Sequence, residues 1–97
     1  MTMKFRDCEV KINVLYRYMN GRRMIELLTT SGEPVLRASV NMASEACGED
    51  EVFIKNWSEN EGITAWLIEH KVIGDAISHV HTGYVVATKH KIMKEWL

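Results

Sequence analysis

Glu51-Val52-Phe53-Ile54-Lys55-Asn56-Trp57-Ser58-Glu59-Asn60-Glu61-Gly62-Ile63-Thr64-Ala65-Trp66-Leu67-Ile68-Glu69-His70-Lys71 is the stretch whose reading decides the fold. Its opening run, Val52-Phe53-Ile54, is short, apolar and partly β-branched, which predicts a buried strand. Ser58-Glu59-Asn60-Glu61 matches the S-x-x-E capping box, in which the Ser hydroxyl and the Glu carboxylate satisfy two free backbone N–H groups. Ile63, Trp66, Leu67 and His70 then recur at i, i+3, i+4 and i+7, the spacing of one helix face. The prediction is a helix over 59–71 packed on a sheet, with Trp57 stapled ahead of the cap and Gly74 closing the helical region.

Outward from that segment the chain reads as β-strand. Upstream, Val10, Ile12, Val14, Tyr16 and Tyr18 alternate with Lys11, Asn13 and Arg17, a half-buried strand pattern. Asn20-Gly21 suits a type I′ hairpin turn, because both residues tolerate positive φ. A second strand is predicted from about Arg23 to Thr30, a turn at Ser31-Gly32-Glu33-Pro34, and a third strand over Val35–Met42. Residues 43–50 show no period and read as a loop. Downstream, Ala76–Val80 and Tyr84–Lys89 read as strands joined near His81-Thr82-Gly83, and the tail His90–Leu97 extends the last strand or turns into a short helix. The expected fold is one α+β domain over residues 1–97, an antiparallel sheet of five or six strands with one amphipathic helix on one face. Its predicted core is Val10, Ile12, Val14, Leu27, Leu36, Val40, Phe53, Ile63, Trp66, Leu67, Val85 and Ala87.

Length and composition narrow the function. Ninety-seven residues supply one core, and 46% hydrophobic with 26% charged residues is ordinary for a globular chain. The longest apolar runs fall far short of the roughly 20 residues that cross a bilayer. Met3 to Val10 alternates charge and apolarity and lacks the layout of a secretory signal, so the expected location is cytoplasmic, with no membrane partner. Cys8 and Cys47 belong to no CxxC pair, and reduced thiols are expected in that compartment. Nucleotide-binding glycine motifs, a nucleophile elbow and an HExxH zinc motif are all absent from the sequence. His79-Val80-His81 places two imidazoles on one strand face, but a zinc site needs a third and usually a fourth ligand. Glu49-Asp50-Glu51 lacks the spacing of a calcium loop. The expectation is a non-enzyme with no cofactor and no metal.

Charge and aromatic placement leave two binding hypotheses. Seven basic residues against four acidic ones lie between Lys4 and Arg37, and six acidic residues against Lys55 alone lie between Glu45 and Glu61. Trp57 beside Glu59 and Glu61, with Glu49 and Asp50 upstream, is a reasonable contact surface for a basic protein partner. The alternative is single- or double-stranded nucleic acid held by Tyr16, Tyr18, Arg22 and Arg23 on one hairpin and by Lys89 and Lys91 in the basic tail, through stacking and phosphate contacts. Self-association through an exposed strand edge is a further route open to such a domain.

The segment Glu49–Gly62 resembles the signature of an uncharacterised family of small proteins carried by bacterial phages, plasmids and conjugative elements. Three further features accompany it: the Gly32-Glu33-Pro34 turn, an alternating strand ending near Asn41, and the late Thr82-Gly83-Tyr84 strand. The loop Ala43–Gly48 and the basic tail after Lys89 depart from the pattern. The resemblance implies a mobile-element setting, in which small proteins bind or adapt a host protein, and it transfers no catalytic residue.

Overall fold

A computed structural model describes residues 3–15 and 17–97. Among the described residues, eight strands form two four-stranded antiparallel sheets, with one α-helix beside them. The first sheet has the order β1-β2-β3-β4, with β1 Met3–Phe5, β2 Cys8–Asn13, β3 Glu26–Leu28 and β4 Pro34–Arg37. The second has the order β5-β6-β8-β7, with β5 Ser39–Val40, β6 Glu51–Lys55, β7 Ile73–Thr82 and β8 Val85–Ile92. The helix α1, Ile63–Glu69, bridges β6 and β7. The class is α+β as expected, but the strands outnumber the five or six predicted.

The extra strands have identifiable causes. The predicted strand Val35–Met42 divides at Ala38. Its N–H donates to the carbonyl of Ile25, directly before β3 of the first sheet (2.9 Å), and its carbonyl accepts from Lys55 in the second (3.0 Å). One bent strand thus belongs to both sheets, and the fully buried Ala38 is the bend. Alternation alone cannot reveal such a break, because residues on both sides of it keep their faces. β1 arises from a two-residue hairpin loop, Arg6-Asp7, whose φ values of 51° and 65° are those of a type I′ turn. Asp is a usual choice in such a turn, whereas Arg is not. At Asn20-Gly21, where a type I′ turn was expected, Gly21 alone has positive φ (85°). Gly21 N–H bonds back to Tyr18 (2.8 Å) and Tyr18 N–H to Arg22 (2.9 Å), a three-residue loop ending on a left-handed glycine. β2 ends at Asn13, so the predicted strand stops short of Tyr18; its Tyr16 lies outside the described residues.

The core lies between the sheets and α1. Its buried members include Val10, Ile25, Leu27, Val52, Ile54, Ile63, Leu67, Val72 and Ile73. β6 is buried on both faces, since Val52, Phe53 and Ile54 are all at most 2% exposed. The run Val52-Phe53-Ile54 is thus the buried strand expected, and Val52 and Ile54 join Phe53 among the buried residues. Ile12, Leu36, Val40, Trp66 and Val85 of the predicted core are half-buried.

The helix is shorter and differently capped than expected. A 3₁₀ turn covers Ser58–Asn60, and α1 begins only after Gly62, which sits at φ 92°. The capping box is therefore about one turn too early, and neither helix has a side-chain bond from its own cap residue. Asn56 caps α1 instead: its Oδ1 accepts from the N–H of Thr64 (2.9 Å). The C-terminus closes on Lys71 rather than Gly74. Lys71 takes φ 60°, Val72 N–H reaches the Leu67 carbonyl (2.9 Å), and Lys71 N–H reaches that of Ile68 (3.0 Å). This is a Schellman motif with lysine in the glycine position and the buried pair Leu67 and Val72 as its apolar contact. Gly74 belongs to β7.

Candidate functional site

After β6 the chain must turn from strand to helix within a few residues, and that turn builds one wall of a cleft. Ser58 adopts φ 58° in doing so, a left-handed conformation unusual outside glycine and asparagine. The turn is held from outside by Arg6, whose guanidinium donates to the backbone carbonyls of Glu59 (2.6 Å) and Glu61 while lying over the Phe5 ring. Asn60 is fully buried; its Nδ2 donates to the Arg37 carbonyl (2.7 Å), and its Oδ1 has no hydrogen-bond partner. Trp57 is left half-buried beside the turn.

Opposite that wall stands the hairpin β7–β8. Ile54, Thr88 and His79 lie in one cross-strand row, as do Val52, His90 and Ala76 one step along, so these rows share the sheet face that carries the core. α1 covers the inner part of this face. Beyond its N-terminal end the face is open, forming a cleft of about 480 Å³ lined by Asn56, Trp57, Thr64, His79, Val86 and Thr88, with Val85 at its margin. The lining is chiefly apolar, with one imidazole, one amide and two threonines.

His90, on the covered part of the face, is 1% exposed. Its Nδ1 lies 2.8 Å from the Gly74 carbonyl and its Nε2 2.7 Å from the Thr88 hydroxyl. A carbonyl can only accept, so Nδ1 carries the proton and the Thr88 hydroxyl donates to Nε2. Burial pushes the pKa of His90 below the usual histidine value, with His79 adding to the fall and the Gly74 bond and Asp75 opposing it.

The outer edge of this hairpin is β7, which among the described residues pairs with β8 alone. Register shifts between Ile73 and Ala76 and between Ala76 and Ser78 mark bulges in its first half. From Ser78 to Thr82 it pairs residue by residue with β8. Residues 76–84 contain no Asp, Glu, Lys, Arg or Pro. Exposed apolar side chains gather here: Ile77 is 51% exposed, Val86 37%, and Tyr84 wholly so. The edge of the first sheet contrasts with this. β1 has three residues, one of them Lys4, and the Trp66 indole donates to the Lys4 carbonyl (2.8 Å).

The structure divides the residues singled out for protein binding. Trp57, Glu59 and Glu61 follow β6 and Glu49 and Asp50 precede it, so the five acidic and aromatic residues lie at opposite ends of a strand about 17 Å long and form no single patch. Glu59 pairs with Lys55 (3.8 Å), and its carboxyl is held below the usual range by its own backbone N–H, the Ser58 hydroxyl and Lys55. Asp50 pairs with Lys91 (3.4 Å). The cations proposed for nucleic acid also have internal partners. Arg22 donates to the carbonyls of Met42 (2.7 Å) and Glu45 (2.5 Å), and Arg23 to that of Glu49 (3.4 Å). Lys89 reaches Glu51 (3.7 Å) and the Ala46 carbonyl (3.3 Å). Together they hold the loop 42–50 over the Phe53 face of the second sheet. Tyr18 is half-buried, its hydroxyl 2.8 Å from that of Ser39 and its ring beneath Arg37.

Arg6, Asn56 and the β7 edge are the participants that sequence reasoning missed. The edge had a legible signal, the uncharged run 76–84; Arg6 and Asn56 act across distances in sequence that no local pattern reports. His79 and His81 are both exposed, and Cys8 and Cys47 are free thiols. Among the described residues, no group of three or more His, Cys, Asp or Glu could hold a metal within one chain, and no helix is long and apolar enough to cross a membrane. No family model, no curated protein and no solved structure matches the chain.

Proposed function

We propose that this protein is a non-catalytic binding protein whose working surface is the β7 edge, where it accepts a strand from a protein partner or from a second copy of itself. The observation that carries this reading is the regular, uncharged stretch Ser78–Thr82 on an uncovered edge. Natural sheets guard such edges with lysine, proline, bulges or a covering segment. Here the bulges stop at Ile77, and the other devices are absent from 76–84. Strand addition draws affinity from backbone hydrogen bonds and specificity from alternate side chains, and the exposed Ile77, Tyr84 and Val86 would supply the apolar contacts around it. In the mobile-element setting that residues 49–62 resemble, the partner is a host or defence protein.

The test is amide hydrogen exchange across 77–83, in the isolated protein at low concentration and in its complex or concentrated form. Slower exchange confined to this segment on association is expected, together with loss of association in the double variant His79→Lys/His81→Lys, which places charge on two exposed edge positions. Association that leaves 77–83 exchanging as before, or that survives the double variant, refutes the reading.

A further inference from the structure

The β7 edge carries two imidazoles side by side. His79 and His81 lie two residues apart on one face of a strand, both exposed, on the open part of the core face where Val86 and Thr88 leave room around them. Two imidazoles do not complete a first-row metal site, and among the described residues no third His, Cys, Asp or Glu joins them in a ligand group. A second copy can supply the missing pair, and the geometry of the edge selects how.

The regular part of β7 runs from Ser78 to Thr82, bounded by the bulge at Ile77 and by Gly83, which turns at φ 66°. Val80 is its centre. Antiparallel pairing of two identical edges about a two-fold axis overlaps this run fully only when the axis passes through Val80. That register sets Ser78 opposite Thr82 and His79 opposite the second copy's His81. All four imidazoles then stand on one face, at the corners of a rectangle. Its sides are about 5 Å across the strands and about 7 Å along them. The absence of Asp, Glu, Lys and Arg from 76–84 means that no like charges meet in this register.

We infer that the protein forms a metal-bridged dimer, with His79 and His81 of two copies holding one Zn²⁺ or a similar imidazole-preferring divalent ion across paired β7 edges. The inference rests on the proposed role of the β7 edge and names its occupant, a second copy, and the ion that fixes it. Each chain would contribute two neutral imidazole nitrogens, giving a four-coordinate closed site with no open position for catalysis.

The experiment is analytical ultracentrifugation of the Cys8→Ser protein, which removes the exposed thiol as a competing ligand, in EDTA and at rising Zn²⁺. Zinc is expected to convert a monomer to a dimer, saturating at one ion per two chains, and Co²⁺ in its place is expected to give the strong visible absorption of a tetrahedral site. His79→Gln and His81→Gln, both exposed and so neutral toward folding, should each abolish the shift in mass and the Co²⁺ spectrum, with unchanged far-UV circular dichroism. A dimer in EDTA that is indifferent to zinc overturns the metal and leaves the edge pairing standing. A protein that stays monomeric at saturating zinc, or takes one ion per chain without changing mass, overturns the inference. So does a zinc-dependent dimer that survives both substitutions.

Discussion

Replacing Lys71 with glycine should make this protein more stable, although it deletes an entire side chain. Lys71 is exposed, takes φ 60°, and closes α1 through the bonds from Val72 to Leu67 and from Lys71 itself to Ile68. Both bonds use backbone atoms, so glycine keeps them. The left-handed conformation costs an L-residue about 1–2 kcal/mol, and glycine escapes that cost. Against it stand two losses. Glycine gives the unfolded chain extra freedom of about 0.4–1 kcal/mol. A cation near a helix C-terminus contributes about 0.3 kcal/mol or somewhat more when exposed. The net for Lys71→Gly is therefore a gain of about 0.5 kcal/mol. Lys71→Ala separates the contributions, because alanine removes the cation and keeps the conformational cost. Glycine should exceed alanine by about 1 kcal/mol, or about 4–8 °C in Tm for a chain of this size. Urea unfolding of the three proteins measures this directly, with equal m-values confirming that the same surface is exposed. If Lys71→Gly is no more stable than Lys71→Ala, the left-handed closure of α1 is wrong.

Two further perturbations test the interior. His90 is neutral and buried, with its pKa below the ordinary 6.5, so the unfolded chain takes up the proton first as pH falls. The contribution of His90 is thus complete above about pH 6.5 and declines as pH drops toward the folded value, by at most about 1.4 kcal/mol per pH unit for its one proton. An NMR titration midpoint for the His90 ring at or above 6.5 contradicts this. Arg22→Ala should release the loop 42–49, since it removes two charge-assisted bonds to the carbonyls of Met42 and Glu45. A loss of about 1–3 kcal/mol and faster proteolysis within that loop are expected; cleavage at the wild-type rate would show that Arg22 does not hold it.

What could be read in advance was whatever local chemistry dictates. Val52-Phe53-Ile54 can only be a buried strand, and the stripe Ile63, Trp66, Leu67 puts one helix face inward whatever the rest of the chain does. The misreadings share a cause. Ser58 and Glu61 satisfy a cap pattern, but positive φ at Ser58 and Gly62 moves the helix start past them, and the cap comes from Asn56 across the turn. Ala38 bends the strand because Ile25 and Lys55 pull its two backbone groups to different sheets. Arg6 tolerates a left-handed φ while its side chain holds the carbonyls of Glu59 and Glu61, more than fifty residues away. Tyr18, Arg22, Arg23, Lys89 and Lys91 looked available for an outside ligand because sequence shows their charge and aromaticity. It does not show the carbonyls, carboxylates and hydroxyl that engage them.

The turn of 56–64 and the edge of β7, linked through α1, address the same space. His79 and Thr88 form one cross-strand row, and both border the cleft with Trp57 and Thr64. Cross-strand neighbours in an antiparallel pair share a face. Any strand added to β7 therefore turns the residues opposite His79 and His81 toward that cleft, and the residues between them toward the face of Val80. An arriving chain would meet the backbone of β7 and the rim formed by Trp57 together. Substitution of Trp57 by alanine should then weaken association while leaving the edge pairing in register, because Trp57 borders the cleft beside the edge and takes no part in the backbone pairing of β7. The acidic residues do not line that rim: Glu59 and Glu61 lie beside Arg6, and Glu49 and Asp50 are at the far end of β6. Of the segment 49–62, Asn56 and Trp57 border the cleft beside His79, whereas Glu59, Asn60 and Glu61 are held against Arg6 and Arg37 and Glu49 lies at the far end of β6.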